Sequence, residues 1–494
     1  MCRAAIFPLI VILTQTAGAQ MRLSWVAQYD GPASNLDRPE SILTDAAGNV
    51  YVTGWSEGGP PTNGDCTTIK YDRVGATQWV ARWNGPDNYW DYGADLAINS
   101  AGELYVAAYA YSGPRAVLLK YAANGALLWS RILTNGVGVA VALDSQDNVY
   151  FAASAGGYPR DLSLWKFDPA GNELWYRGYD GPAASHDNLV DLAIDEDDDI
   201  YVLGQVRNSS NNDEIALLKY GPTGALQWAR LYTDGIDNAV SGLALDSIGN
   251  VYVGARTRLT YTQHELMMLK YDAGGTLLYR RAQTGPTGGE AYPEGIAVDS
   301  ADHVVMTGWT QSDLGGAHWT TVKYDAAGTQ LWVRHLLDTV GDWNVPMAGV
   351  QFDASNNVFV GGYARGGGGD ADFCVIEYDP DGALVWQSWF TGAGGAFDGV
   401  QDMVVDERGI IHAVGSSAVG SENDDYLTIK FVPACEGDIN KDGEVGLGDL
   451  TALLQHFGQA DDATFEDGDL DGDGDVDLAD LALILSTFGS FCST

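Results

Sequence analysis

Leu23-Ser24-Trp25-Val26-Ala27-Gln28-Tyr29 is a short alternating run at the head of the chain, and its Trp25 is the missing member of a column. Between residues 24 and 432 the sequence repeats with a period of about 50 residues, four strand-like runs to a repeat. The first run, such as Leu96-Ala97-Ile98 or Leu192-Ala193-Ile194, usually ends at Asp or Asn. The second carries Tyr51, Tyr105, Tyr150, Tyr201, Tyr252, Val305, Phe359 and His412. The third ends on Tyr71, Tyr121, Phe167, Tyr220, Tyr271, Tyr324, Tyr378 and Phe431. The fourth carries Trp79, Trp129, Trp175, Trp228, Tyr279, Trp332 and Trp386, and is then one short. The final repeat stops at Phe431 without a fourth run. Trp25 supplies it.

That offset closes a ring. A strand from the N-terminus completes the last sheet, so eight four-stranded sheets make an all-β, eight-bladed propeller over residues 20–432. An open solenoid would need capping repeats rather than a borrowed strand. Through Asp45-Ala46-Ala47-Gly48-Asn49-Val50-Tyr51-Val52-Thr53-Gly54 the repeats resemble the bacterial β-propeller repeat family called SBBP. The resemblance implies a fold and no particular activity.

Residues that recur once per repeat are read first as structure. The Trp column is expected to pack between sheets. Lys70, Lys120, Lys166, Lys219, Lys270, Lys323 and Lys430 precede the third aromatic, with Glu377 in the remaining repeat. An acid lies five residues before six of these positions: Asp65, Asp161, Glu214, Glu265, Asp372 and Asp425. These two columns are expected to form repeated ion pairs. Asp37, Asp91, Asp187 and Asp398, with Asn238, are placed in the blade-to-blade loops, where they either bond backbone, the favoured reading, or ring one mouth of the channel with carboxylates that could hold a cation. The non-repeating aromatics Trp55, Trp83, Tyr89, Trp90, Trp309, Trp319 and Trp343 either stack on sugar rings or form loop cores. The histidines show no metal-ligand spacing, and no Gly-x-Ser-x-Gly elbow is present.

Chemistry that names a ligand lies only near the C-terminus. A twelve-residue pattern occurs twice, at Asp438, Asn440, Asp442, Gly443, Glu444, Gly446 and Asp449, and at Asp469, Asp471, Asp473, Gly474, Asp475, Asp477 and Asp480. Oxygen ligands at positions 1, 3 and 5, Gly at 6 and a carboxylate at 12 describe a calcium loop. Val445 and Val476, at position 8, let the paired loops lean on each other. Each loop runs into an amphipathic helix, predicted over 449–457 and 480–488 and followed by Gly458 or Gly489. No helix precedes either loop, so the unit resembles a type I dockerin over 435–494 rather than a full EF-hand. The resemblance implies two Ca2+ ions, a cohesin-like partner, and partner-facing positions 10 and 11, here Leu447-Gly448 and Leu478-Ala479. It also implies that the chain ends meet, which pairs Cys435 with Cys492. The sequence departs from the family at Gly446, where a ninth-position ligand is usual, so the first site is expected to be the weaker.

The formal charge is −41, and from Cys435 onward fifteen acidic residues face only Lys441. Such a surface repels nucleic acid and anionic lipid and attracts divalent cations. Arg3, the apolar stretch 4–13 and Ala17-Gly18-Ala19 read as a signal peptide over 1–19, with no later span long and apolar enough for a membrane. The protein is therefore expected to be secreted. Cys66 and Cys374 are read as buried free thiols.

Three functions fit these features. The first is a secreted non-catalytic binding or scaffold protein, its propeller recognising a glycan or protein and its dockerin anchoring it. The alternative is a dockerin-bearing polysaccharide hydrolase or lyase with its active site in the propeller channel. The third is a quinoprotein-like oxidoreductase, because Tyr71-Asp72-x-x-Gly75-x-x-x-Trp79 is similar to that family's tryptophan-docking motif. The vicinal cysteine pair common in those enzymes is absent from the sequence.

Overall fold

The computed structural model describes residues 21–492 apart from short loop stretches. The longest omitted stretches are 337–344 and 391–397; in the C-terminal module they are 434–436, 460–462, 464–466 and 471–474. The expected signal peptide lies outside the described residues.

Among the described residues, thirty-two strands form eight antiparallel four-stranded sheets. Blades 1 to 7 each use consecutive strands, over 37–83, 91–132, 136–179, 188–232, 237–283, 291–336 and 345–390. Blade 8 takes three strands from 398–433 and its fourth from the N-terminal strand, Met21–Tyr29. That strand runs antiparallel to Asp424–Pro433, pairing Leu23 with Phe431, Trp25 with Lys430 and Tyr29 with Tyr426. The ring is closed as the Trp count requires.

Burial follows the blade geometry. The two middle strands of a blade are covered on both faces by neighbouring blades, so they read as continuous rather than alternating apolar runs. Ala317–Tyr324 is buried at every position. Fourth strands such as Thr77–Trp83 stand at the rim and are mostly exposed or half-buried.

The Trp column does more than pack. The turn after the third strand is built by an Asp in most blades, with Ala122 and Gly221 there in blades 2 and 4: Asp72 accepts hydrogen bonds from the amides of Val74 (3.1 Å) and Ala76 (2.8 Å). This turns the Arg73 carbonyl outward, and Trp25 Nε1 donates to it at 3.1 Å. Gly75 lies under the indole with φ +83°; a Cβ there would sit 2.7 Å from the ring. The arrangement repeats around the ring. Trp79 donates to Ala123 (3.1 Å), Trp228 to Ala273 (3.1 Å) and Trp332 to Pro380 (3.0 Å). In blade 5 the Tyr279 hydroxyl replaces the indole and donates to Ala326 at 3.3 Å. The fourth strands of blades 1 to 6 thus each hold the turn of the next blade, and Trp25 does so from blade 8 to blade 1; at the blade 7–8 junction Trp386 packs edge-on against Phe431.

The lysine column behaves differently from expectation. Lys120, Lys166, Lys219, Lys270 and Lys323 pair with acids of the first hairpin turn, namely Glu103 (2.6 Å), Asp144 (2.8 Å), Asp199 (2.9 Å), Asp246 (3.2 Å) and Asp299 (2.9 Å). The acid five residues earlier cannot reach. It lies about 16 Å away along the same strand and on the opposite face. Asp65 and Glu265 go instead to Arg82 (2.9 Å) and Arg280 (2.6 Å). Lysines of the column also lie over the second-strand Tyr rings, as Lys166 does over Tyr150 at 4.7 Å.

Blade 7 breaks this column. Glu377 is 0% exposed, and neither carboxylate oxygen has a hydrogen-bond partner. Burial, and then the charge of Asp353, pushes its carboxyl up to about 8. A group held above its ordinary value favours the fold while protonated, so its contribution is complete below about 4.5 and is lost as pH rises through about 8. Glu377→Lys is expected to restore the column and raise stability at pH 8 by roughly 1–3 kcal/mol, with a smaller gain at pH 5. Urea midpoints at the two pH values check this.

Ring closure makes a second prediction. Trp25→Ala is expected to cost about 3 kcal/mol, and removing residues 21–29 far more, since it bares an edge and two blade faces. Thermal melting of the full chain and the two variants measures both. Equal melting temperatures would show that the ring does not depend on the borrowed strand.

Candidate functional site

The C-terminal module has two helices, α1 (Leu447–His456) and α2 (Leu478–Thr487). Both begin two residues earlier than the sequence suggests, because positions 10 and 11 of each loop already have helical geometry. Their small core is Ile439, Val445, Leu453, Val476 and Ile484. The two position-8 valines share this core, but their backbone bonds cross over. Val445 pairs with the segment after α2, donating to Ser490 O (2.9 Å) and accepting from Gly489 N (2.7 Å). Val476 pairs with the segment after α1, donating to Gln459 O (3.0 Å) and accepting from Gly458 N (2.8 Å). Each loop is therefore closed by the other unit's helix end. The helical stripe is only partly buried: Leu454, Phe457, Leu485 and Phe488 are exposed, which the spacing alone did not show.

In the first loop the carboxylates converge. Oxygens of Asp438, Asp442 and Asp449 lie within 4.8 Å of one another. The loop backbone holds them: Asp438 accepts from the amides of Asp442 (3.1 Å) and Gly443 (3.0 Å), and Asp449 from those of Asn440 (2.9 Å) and Gly446 (2.8 Å). Asp449 is 0% exposed. Burial, partly offset by the Gly443 amide and reinforced by Asp449 and Asp442, pushes the Asp438 carboxyl up to about 6. Buried acids so close repel unless a cation lies between them. An all-oxygen set in a Gly-turn loop fits a hard cation such as calcium. A bound ion would supply the charge that lets this loop close.

The second loop repeats the design. Asp475, Asp477 and Asp480 bring oxygens within 4.8 Å of one another. Asp480 accepts from the amides of Leu470 (2.6 Å) and Asp477 (2.8 Å); the position-9 bond is the one Asp449 makes to Gly446, while the other comes from position 2 where Asp449 uses position 3. Asp469 is buried, while Asp471 and Asp473 lie outside the described residues. The loops differ at position 9. Asp477 also caps α2, accepting from Ala479 N at 2.6 Å, whereas Gly446 offers α1 no side-chain cap. Leu447 and Leu478, at position 10, are 74% and 71% exposed. Gly448 and Ala479 beside them are exposed as well. Cys492 is buried, and Cys435, expected to pair with it, lies outside the described residues. Cys66 and Cys374 are free and buried, as expected.

Residues 436–488 match the family described as Dockerin type I domain. This segment is a type I dockerin domain. Residues 25–60 match the Beta-propeller repeat family, across the closing strand and the start of blade 1. No curated protein matches the chain. Among solved structures, the C-terminal WD40 domain of Sif2 is 10% identical with a TM-score of 0.51, over 81% of this chain and 98% of that one. A polysaccharide lyase titled an ulvan lyase is 10% identical at TM-score 0.44, over 74% and 96%. A protein of unknown function from Bacteroides caccae is 15% identical at TM-score 0.36, over 58% and 93%. At such identities the likeness concerns the fold alone.

The dockerin's first loop rests on blade 8. Lys430 Nζ donates to Asp442 O (3.2 Å), Arg73 Nη2 lies 3.7 Å from Asp442 Oδ2, and Ser24 Oγ donates to Lys441 O. A polar cavity of about 600 Å³ remains between them, lined by Asp45, Arg73, His412, Lys430, Asp442 and Glu444. Nothing in the sequence marked Ser24 or Arg73 for this contact.

In the propeller the Asp column bonds backbone as expected, but Asp37, Asp91, Asn238 and Asp398 stand on first strands rather than in the blade-to-blade loops. Asp37, Asp91 and Asp187 accept from the amides of Gly31 (2.6 Å), Gly85 (2.6 Å) and Gly181 (2.7 Å). Four residues further on, Asp95, Asp191 and Asp402 each accept from the next blade, at the amides of Val141, Leu243 and Ile42, all at 2.9 Å. The sequence reading missed these staples; the signal was their fixed offset from the Asp column. The unique aromatics divide. Trp55, Trp83 and Trp319 are buried, Trp309 stacks on Tyr292 at 4.6 Å, and Trp343 lies outside the described residues. Trp90 packs edge-on against Trp55 at 5.0 Å. Tyr89 is 42% exposed and Tyr111 59%, their rings 6.3 Å apart and 22° from parallel.

Calcium titration by calorimetry is expected to lose one binding event in Asp449→Ala and another in Asp480→Ala. Each removes the residue that both ligates and ties its loop to its helix. Unchanged stoichiometry in either variant would exclude that loop as a site.

Proposed function

We propose that this is a secreted, non-catalytic binding protein whose dockerin domain, folded around two calcium ions and closed by a Cys435–Cys492 disulfide, docks on a cohesin-type partner. The observation that carries this reading is the pair of bare leucines, Leu447 and Leu478. Each stands at position 10 of its loop, on the first turn of its helix, more than two-thirds exposed. An exposed Leu on a rigid helix start is an anchor for a protein surface rather than a core residue. The ligands are Asp438, Asn440, Asp442, Glu444 and Asp449 in one loop, and Asp469, Asp471, Asp473, Asp475, Asp477 and Asp480 in the other.

The propeller supplies the recognition surface. Tyr89 and Tyr111 form an exposed, nearly parallel aromatic pair of the kind that stacks on sugar rings, so a polysaccharide is the favoured ligand. The first-strand acids Asp95, Asp191 and Asp402 are engaged in backbone staples between blades.

Binding to a panel of cohesin domains in calcium, followed by calorimetry, tests the anchor. Leu478→Asp is expected to weaken the best pair at least tenfold, about 1.4 kcal/mol or more, and a chelator to abolish it. No binding to any cohesin would overturn the anchoring role. Release of oligosaccharides from a polysaccharide by the full chain would place an active site in the channel instead.

A further inference from the structure

Two seams between blades hold three carboxylates each, with no ion pair to lysine or arginine among the described residues. At the seam between blades 3 and 4, Asp161, Asp180 and Asp187 bring oxygens within 4.8 Å of one another. At the seam between blades 8 and 1, Asp425, Asp30 and Asp37 do the same. The strand positions correspond. In both, one acid lies at the start of the third strand of a blade, one follows its fourth strand, and one stands at the entry to the first strand of the next blade, Asp37 as its first residue and Asp187 just before it. One structural site is thus built twice.

Each triad contains a buried oxygen aimed into it with no partner. Asp187 is 1% exposed and Asp425 3%. Their Oδ2 atoms accept from Gly181 N (2.7 Å) and Gln28 Nε2 (2.6 Å), whereas the Oδ1 atoms accept no hydrogen bond. Burial, with added repulsion from neighbouring acids, pushes both carboxyls up to about 6.

The other seams show how the fold relieves acids at these positions. Between blades 1 and 2 the middle acid is replaced by Asn84, and Arg82 holds Asp65 at 2.9 Å. Between blades 4 and 5 the first-strand acid is replaced by Asn238, and Arg280 holds Asp234 at 2.9 Å. Between blades 5 and 6, Glu265 goes to Arg280 at 2.6 Å and the other two positions are Thr284 and Ala291. Arg82, which approaches the blade 8–1 seam, is engaged by Asp65, Ser56 and Tyr29. The two complete triads have neither an amide substitute nor a cationic side chain of their own.

We propose that each triad binds one divalent cation of the calcium class, held between adjacent blades. All donors are carboxylate oxygens, which select a hard cation, and exposed Asp30 and Asp180 leave room for water to complete the shell. The ion ties the end of one blade's fourth strand to the first strand of the next. At the blade 8–1 seam it fastens the segment after the N-terminal strand. With three protein ligands the sites belong in the weaker class, with Kd roughly 10⁻⁴–10⁻³ M.

The test is equilibrium dialysis of the full chain against radiolabelled calcium in the millimolar range. Because wild type and variants share the dockerin, its ions cancel in the comparison. Asp187→Asn is expected to bind one ion fewer, Asp425→Asn one fewer, and the double variant two fewer. Asparagine already occupies the Asp187 column at Asn238, so the fold accommodates that change, and should Asp425→Asn fail to fold, the exposed Asp30→Asn gives its reading. Should Asp187→Asn fail to fold, the exposed Asp180→Asn gives the same reading. The rise in melting temperature on adding calcium should shrink in each variant. Equal calcium content in wild type and folded variants, with an unchanged calcium-dependent melting shift, would overturn the proposal and leave protons as what the triads share.

Discussion

The hydrogen bond from a fourth-strand indole to the turn of the next blade is the interaction on which this structure depends. It couples three features that would otherwise be independent: an Asp that builds the turn, a Gly that lets the ring lie flat on it, and a Trp placed on the neighbouring sheet. Neighbouring blades meet mainly through apolar faces, and such contact is non-directional. The indole N–H adds direction, because it is satisfied only when the next blade sits at one height and angle. Trp25 makes this bond to Arg73 across the gap where the chain's two ends meet. The ring closes with the same geometry as the junctions from blade 1 through blade 7.

The second constraint is negative charge. A chain at −41 has few cations with which to neutralise buried acids, and the fold allocates them by position. Most blades place a lysine between the first hairpin's acid and the second-strand tyrosine. Blade 7 keeps an acid there, Glu377, and its carboxyl is driven toward the protonated form. The dockerin loops have almost no basic residues, so their convergent aspartates need an external ion. The same physics thus produces a lysine column in the propeller and calcium loops in the module.

The propeller and the dockerin touch where the repeat pattern ends. Blade 8 carries on from its third strand into the module rather than into a fourth strand of its own. The first calcium loop comes to rest there, against Lys430, Arg73 and Ser24. The ends of the domain are therefore in one place: the borrowed strand, the last native strand and the first metal loop. Leu447 and Leu478 of the dockerin remain uncovered.

The sequence by itself determined the number of blades, the origin of the eighth outer strand and the dockerin module with its two acidic loops. Those follow from counting: a column of eight with one member displaced admits one closure, and ligand spacing within a loop is local geometry. The ion-pair partners were not legible. Lys120 and Glu103, or Lys166 and Asp144, are neighbours across strands, while the acid five residues away looks closer in sequence and is farther in space. The backbone staples of Asp95, Asp191 and Asp402 and the acid triads at two seams are likewise invisible until adjacent blades are placed. Each draws on residues from two blades, and the distance between blades is set by side-chain packing that no single repeat specifies. Local pattern fixes the unit; only the closed ring decides which charged groups of separate units meet.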